Sequence, residues 1–235
     1  MHNGSDHLIV ALDSPDAEKA RALVQKLGSS VSFYKVGKEL FTAVGPTIVR
    51  ELVADGKKVF LDLKFHDIPN TVAGAVRSAA SLGVSLLTVH ASGGSKMLQA
   101  AAEAAAESET RPTVLAVTVL TSLTGQELEQ IGIKGSLEAQ VLRLATLAIN
   151  TGCGGIVASA QEALHLRQAL GTGFTLVTPG IRPAGSVAAD QARVVTPEAA
   201  IRAGADYLVV GRPISAADDP AEAARTILHQ IELAF

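Results

Sequence analysis

The chain has 235 residues, 48% of them hydrophobic and 18% charged, so it is long enough for one large core or two small ones and much of it must be buried. Its formal net charge of −3 gives no global attraction to nucleic acid or to an anionic membrane, and an anionic ligand would need local cations. The single cysteine, Cys153, excludes an internal disulfide and a multi-cysteine metal site.

Apolar segments of strand length alternate with helical patterns along the whole chain. The predicted strands cover residues 7–13, 32–37, 59–65, 86–91, 113–120, 154–159, 174–178 and 206–210. The predicted helices are 14–27, one that ends at residue 54, 69–82, 95–107, 137–149, 161–170, 197–203 and 220–233. Ser14 is expected to cap the first helix, with Pro15 in its first turn. Pro46 is expected near the start of the regular part of the second.

Eight strands that alternate with helices predict a parallel sheet with right-handed crossovers. Eight such units in a chain of this length match a closed (β/α)8 barrel, the TIM barrel of the α/β class. No Gly/Pro/Ser-rich linker or shift in composition divides the sequence, so a single domain over residues 1–235 is expected. An open doubly wound sheet is the alternative fold, but no G-x-G-x-x-G motif follows the first strand.

The location of the protein is predicted from what the sequence lacks. The first six residues carry no cationic and apolar signal pattern, and no apolar run approaches membrane-spanning length. We therefore expect a soluble, cytoplasmic protein. Cys153 lies between two glycines and near Ile156, a setting that suits a small buried side chain better than a nucleophile.

The third strand carries two charges within an otherwise apolar run. Asp62 and Lys64 are two residues apart, so a regular strand would point both to one face. Such charges are costly in a covered strand unless they pair. Asp67 follows, and Pro69 opens a helix. These residues indicate a reactive cluster, or alternatively a structural ion pair at a strand end with Asp67 helping to cap the helix.

Polar residues collect where the predicted strands end, which is where the active sites of such barrels lie. These strand-end residues are Asp13, Lys35, Asp62, Lys64, His90, Thr121, Arg182 and Arg212. A barrel built only for stability has no reason to gather charges from five strands at one rim. His90 is interpreted as a hydrogen-bonded strand-end histidine rather than as a wall of the site, with both roles left open.

The seventh and eighth strands and their loops form the usual phosphate-binding end of a barrel. Arg182 and Arg212 can each direct a guanidinium fork at phosphate oxygens, and Gly211 allows a backbone N–H to approach an oxyanion closely. The segment between Arg182 and Pro197 has little secondary-structure signal, which is typical of a lid or of an ordinary mobile loop.

The run from Leu61 to Thr71, LDLKFHDIPNT, resembles the signature of the orotidine 5′-phosphate decarboxylase family. The D-x-K-x-x-D core within it is shared with related sugar-phosphate decarboxylases and synthases, so alone it marks only a superfamily. Further matches extend the resemblance over nearly the whole chain and make it more specific. They are ALD at 11–13, YKVG at 34–37, VLTS at 119–122, PGIR at 179–182 and VGRP at 210–213.

The resemblance implies a role for each matched residue. Lys35, Asp62, Lys64 and Asp67 are expected to form an alternating catalytic charge array, with Lys64 as the proton donor. The resemblance also implies a substrate-binding set. Its expected members are Asp13 and Lys35 at the ribose, Thr121 near the base or closing loop, Gln191 between base and phosphate, Arg182, Gly211 and Arg212 at the 5′-phosphate, and Asp62, Lys64, Asp67, Ile68 and Thr71 in the array and beside it.

The same resemblance implies the partners. The substrate would be orotidine 5′-monophosphate and the product UMP, with no metal or organic cofactor and no nucleic-acid or membrane partner. Asp67, Ile68 and Thr71 would come from the neighbouring subunit, which makes the protein a homodimer with two shared active sites.

Three other functions are weighed against this one. A Mg²⁺-dependent sugar-phosphate decarboxylase or aldolase would carry a carboxylate on the second strand, where Lys35 stands here and opposes a divalent ion. A phosphate-binding isomerase using Asp and Lys as acid and base does not explain the complete array. A non-enzymatic barrel that only binds nucleotides is the third alternative. A simple assay distinguishes it from the enzyme, namely whether the absorbance of orotidine 5′-phosphate falls when the protein is added with a chelator present.

Overall fold

The computed structural model describes residues 4–183 and 195–235, and within them eight parallel strands close into a barrel in sequence order. The strands are β1 (Leu8–Ala11), β2 (Phe33–Gly37), β3 (Lys58–Phe65), β4 (Leu86–His90), β5 (Thr113–Val117), β6 (Gly155–Val157), β7 (Thr175–Thr178) and β8 (Tyr207–Val210). The ring is completed by parallel pairing of β1 with β8. The predicted (β/α)8 barrel is therefore confirmed.

Helices surround the barrel and connect its strands. They are α1 (Ala17–Leu27), α2 (Lys38–Val44), α3 (Thr47–Ala54), α4 (Pro69–Ala80), α5 (Ser95–Ala106), α6 (Gly125–Gln130), α7 (Leu137–Asn150), α8 (Ala160–Leu170), α9 (Pro197–Arg202), α10 (Arg212–Ser215) and α11 (Pro220–Glu232). Among the described residues, none of the helices combines the length and the apolar character needed to cross a bilayer.

Several predicted boundaries were wrong. The cap of α1 is Asp16, not Ser14: an oxygen of Asp16 accepts hydrogen bonds from the N–H groups of residues 18 and 19. The helix predicted to run to residue 54 is two helices, separated by Gly45 at φ +68° and by Pro46. The short helices α6 and α10 were not predicted. Four of the eight strands also end earlier than expected; β5, for instance, ends at Val117.

Inward-facing side chains fill the centre of the barrel, so its interior is closed. The strands contribute one layer-forming cluster of Ile9, Ala11, Phe33, Phe60, Leu86, Leu115, Val177 and Val209, with Val157 and Tyr207 packed against it. Alternate strand residues, such as Val10 and Leu87, belong to the larger core between sheet and helices. Because the period is two, the next inward positions after Phe33 and Phe60 are Lys35 and Asp62.

Strand β3 is irregular at the point where its charges lie. Its pairing with β4 runs from Leu61 opposite Leu87 to Phe65 opposite Val89, so three residues of β3 face only Thr88. Within this bulge Lys64 has φ +53°, a left-handed conformation that is unusual for a residue with a side chain. Bulges next to active sites re-aim side chains, and this one directs Lys64 toward Asp62.

The barrel leaves no room for a side chain at Gly155 of β6. A Cβ atom there would lie 2.3 Å from the Thr175 carbonyl oxygen and 2.7 Å from a methyl carbon of Leu115. Replacing Gly155 with alanine is expected to lower the free energy of unfolding by ~1–3 kcal/mol, as overpacking typically does. Urea unfolding followed by circular dichroism measures this. Gly173→Ala is the control, because its Cβ would meet nothing within 4 Å, and equal losses in both variants would contradict the account.

Candidate active site

Two cavities adjoin at the carboxyl ends of the strands. One, of about 220 Å³, is lined by Lys35, Phe60, Asp62, Lys64, Val117, Val119, Leu120, Thr121, Val157, Pro179 and Val209. The other, of about 460 Å³, is lined by Ala11, Asp13, Lys35, Pro179, Gly180, Arg182, Val209, Gly211 and Arg212. They share Lys35, Pro179 and Val209, so a single elongated ligand can occupy both. The first cavity combines apolar walls with charges, and the second carries two arginines.

Four charged side chains of alternating sign form a row through this site. Lys64 Nζ donates to both oxygens of Asp62, at 2.7 and 2.8 Å. Lys35 Nζ lies 3.8 Å from the second Asp62 oxygen and donates to Asp13 at 2.8 Å. Asp13, at one end, is 53% exposed, whereas the side chains of Lys35 and Asp62 are 11% and 13% exposed. The central pairs are therefore held in a poorly solvated setting, where electrostatic interactions are strong.

The ionised form of Asp62 is favoured by its neighbours. Burial by itself would raise the pKa of this carboxyl, but the charges of Lys64 and Lys35 and the hydrogen bonds from Lys64 and Thr88 outweigh burial and hold the pKa below its usual value. Asp62 is therefore a carboxylate at neutral pH. It holds the Lys64 ammonium at a fixed place on the cavity wall.

The arginine-bearing cavity has the composition of an anion site. Arg182 is buried and anchored by a hydrogen bond from its Nη1 to the carbonyl of Ile181, while Arg212 is exposed at the start of α10. A Cβ atom at Gly211 would lie 3.3 Å from an Asp13 oxygen, so glycine keeps the backbone accessible beside that carboxylate. Two guanidinium groups and an open glycine backbone suit a phosphate group.

Comparisons with known proteins agree over nearly the full length of the chain. The model of the Orotidine 5′-phosphate decarboxylase / HUMPS family matches residues 6–227. The orotidine 5′-phosphate decarboxylase of Idiomarina loihiensis is 55% identical over 224 residues, covering 95% of this chain and 97% of that protein. That of Halorhodospira halophila is 54% identical, covering 98% of each.

This chain belongs to the orotidine 5′-phosphate decarboxylase / HUMPS family. A solved structure of orotidine 5′-phosphate decarboxylase from Lactobacillus acidophilus supports the assignment, with a TM-score of 0.86, 39% identity, and coverage of 96% of this chain and 99% of that one. The resemblance inferred from the motif at residues 61–71 is thereby confirmed.

The structure brings together most of the residues that the family motif singles out. Lys35 and Lys64 both pair with Asp62, and Thr121 lines the same cavity. Asp13, Arg182, Gly211 and Arg212 line the adjoining cavity. Gln191 lies outside the described residues, and its role stays a prediction.

Asp67, Ile68 and Thr71 are not brought into this row within one chain. All three are exposed, and Ile68 is 67% exposed, which is high for a large apolar side chain. Within residues 4–183 and 195–235, the Asp67 carboxylate accepts a hydrogen bond of 2.6 Å from the Ile68 N–H and takes part in no ion pair. It does not cap α4 in the usual way, because the cap position is Ile68.

Sequence reasoning missed two neighbours of the charge row. Thr88, fully buried on β4, bonds to both Asp62 and the Lys64 backbone. His66 faces His90, with ring centroids 5.5 Å apart. Burial, together with the electrostatic influence of His66 and Lys38, lowers the pKa of His90. Thr88 could have been found from the sequence, because it lies two residues before His90 and shares its strand face.

Proposed function

We propose that this chain is a single-domain enzyme that converts orotidine 5′-monophosphate to UMP and CO₂ in pyrimidine biosynthesis. The observation that carries the proposal is the Lys64 ammonium, held by ionised Asp62 on the wall of a cavity that adjoins a two-arginine anion site. The pyrimidine would occupy the smaller cavity and the 5′-phosphate the larger one. The ribose would lie between them, beside Lys35 and Asp13.

The proposed decarboxylation requires stabilisation of negative charge, which the charged residues of this site can provide. Loss of CO₂ from C6 of the pyrimidine leaves a carbanion with little resonance stabilisation. Fixed charge placed where the negative charge develops is the strongest means of stabilising it. The Lys64 ammonium can supply that charge and then transfer a proton to C6, which gives UMP. Asp62 holds the ammonium in position through two hydrogen bonds, and Lys35 pairs with the same carboxylate from its other side.

The alternative Mg²⁺-dependent sugar-phosphate chemistry is disfavoured by the same geometry. Lys35 Nζ lies 3.8 Å from Asp62, in the position where such an enzyme needs a carboxylate. An ammonium there repels a divalent cation. Among the described residues, no three His, Cys, Asp or Glu side chains are grouped so that they could hold a metal.

The activity is tested by adding the purified protein to orotidine 5′-monophosphate in buffer with excess chelator and following the ultraviolet absorbance of the orotate ring. Decarboxylation predicts a first-order fall to the spectrum of UMP. If UMP binds in a calorimeter but the absorbance stays constant, the chain is a nucleotide-binding barrel without this activity. The reaction consumes a phosphorylated nucleotide, which fits the cytoplasmic location expected from the sequence.

The exposed loop after β3 supports a homodimer with shared sites. Asp67, Ile68 and Thr71 lie at the same rim as the catalytic row, and Ile68 and Leu120 expose apolar surface there. A second copy would bury these side chains and place its Asp67 beside Lys64. This would complete an array of two lysines and two carboxylates.

Mixing inactive variants tests this arrangement. We expect Lys64→Ala and Asp67→Ala to be inactive alone, and their mixed dimers to contain one intact site each. After random exchange of subunits, the activity should recover to about a quarter of the wild-type value, since half of the dimers are mixed and half of their sites are intact. Steady-state assays after co-refolding measure it.

The matched control mixes Lys64→Ala with Asp62→Asn. Both residues belong to the same chain's part of the site, so no mixed dimer contains an intact one, and the activity should stay at the level of the parent variants. No recovery in the test mixture would show that Asp67 acts within its own chain, and recovery in the control would show that Asp62 and Lys64 of one chain do not serve the same site.

A further inference from the structure

Thr88 occupies the point where the ladder between β3 and β4 is interrupted. Three residues of β3, Asp62 to Lys64, oppose this one residue of β4. In a regular parallel pair, the N–H of Lys64 would bond to a backbone carbonyl of the neighbouring strand. Here it donates instead to the Thr88 hydroxyl, at 2.9 Å.

The same hydroxyl also contacts the charged pair. Its O–H donates to Asp62 Oδ1 at 2.9 Å, and Lys64 Nζ donates to that same oxygen at 2.7 Å. Thr88 is fully buried and faces the barrel interior, where no other hydroxyl among the described residues bonds to Asp62. One oxygen therefore fixes the backbone of Lys64 and the side chain of Asp62.

We propose that Thr88 is a positioning residue for decarboxylation, because its hydroxyl holds the strained backbone of Lys64 and the carboxylate of Asp62 in the arrangement that presents the ammonium to the reacting carbon. This inference rests on the proposed function, since it concerns the same ammonium. Without the hydroxyl, the Lys64 N–H loses its partner and the bulge can relax away from φ +53°.

The expected effect falls on turnover more than on binding. Thr88 does not line either cavity, so it touches neither the base nor the phosphate. A hydrogen bond to a charged group has a strength that corresponds to roughly ten- to a hundredfold in rate. Thr88→Val keeps the shape and removes the hydroxyl, so we expect kcat to fall by that factor while the Kd for UMP changes less than about threefold.

Two companion variants separate positioning from packing. Thr88→Ser retains the hydroxyl and is expected to return kcat to within about threefold of the wild type. Thr118→Val is the matched control: Thr118 is another buried threonine at the same end of the barrel, and its hydroxyl donates to the Val157 carbonyl outside the charge row. It should leave kcat unchanged even if its melting temperature falls.

The assays are steady-state decarboxylation, calorimetric UMP binding and thermal unfolding of the four proteins. Wild-type kcat in Thr88→Val would overturn the inference, as would an equal loss in Thr88→Ser or in Thr118→Val. An inactive wild-type protein would instead overturn the proposed function, so the two failures are distinguishable.

Discussion

Replacement of Lys64 by alanine is expected to abolish decarboxylation while leaving UMP binding measurable. In the proposed mechanism the ammonium would both stabilise the developing carbanion and supply the proton, and each effect is worth about two to four powers of ten in rate. The product has no carboxylate at C6, and in the proposed arrangement it would draw its affinity from ribose and phosphate contacts in the adjoining cavity. We expect kcat to fall by at least ~10³-fold, measured by absorbance at enzyme concentrations high enough to detect slow turnover.

Two further variants sharpen this prediction. Lys64→Arg keeps a cation beside Asp62, but a guanidinium does not release its proton under these conditions, so this variant should also be inactive. Lys58→Ala removes a lysine from the opposite end of the same strand, where Lys58 is exposed, and should retain full activity. Substantial turnover by either Lys64 variant would contradict its assignment as proton donor.

The fold could be predicted from the sequence because its signals are local and repeated. Each strand is an apolar run followed by a helical pattern, and parallel strands bring their carboxyl ends to one rim whatever the detailed register. For this reason Lys35, Asp62 and Arg212, far apart in sequence, could be assigned to one site before the structure was known.

The errors have physical causes as well. Ser14 and Asp16 are both residue types that commonly cap helices. Because they lie only two residues apart, the sequence does not show which of them begins α1. The α6 helix was missed although Thr124 and Glu127 have the spacing of a capping box, which the structure contains. The bulge of β3 depends on its pairing with β4, so the left-handed Lys64 and its bond to Thr88 carry no signal in the local sequence.

The role of Asp67 cannot be assigned from the structure of a single chain. The family resemblance implies its membership in the charge array, whereas the folded chain leaves it exposed on the loop before α4. Both statements agree if the array is completed between two subunits. Composite sites of this kind are invisible to residue spacing, because the contact depends on the symmetry of an assembly.

Replacement of Arg212 by alanine is expected to lower kcat/KM by ~2–5 kcal/mol of lost transition-state binding, or roughly 30- to 5,000-fold. Arg212 is exposed at the mouth of the larger cavity, so its loss should not disturb the core, whereas the buried Arg182 is also tied to the Ile181 carbonyl. In the proposed arrangement the phosphate would lie away from the reacting carbon, and its binding energy would hold the substrate in the site. Steady-state kinetics with orotidine 5′-monophosphate measure the loss.

The decisive comparison uses orotidine, the nucleoside without a phosphate. If Arg212 acts through the phosphate, wild type and Arg212→Ala should decarboxylate orotidine with equal, low efficiency, because the interaction that distinguishes them is absent from this substrate. Arg225→Ala is the matched control, since Arg225 lies on α11, is 54% exposed and pairs with Glu222 away from the site. Unchanged kcat/KM for the nucleotide would rule out a phosphate contact, and an equal loss with orotidine would mean that Arg212 supports the fold or the base site instead.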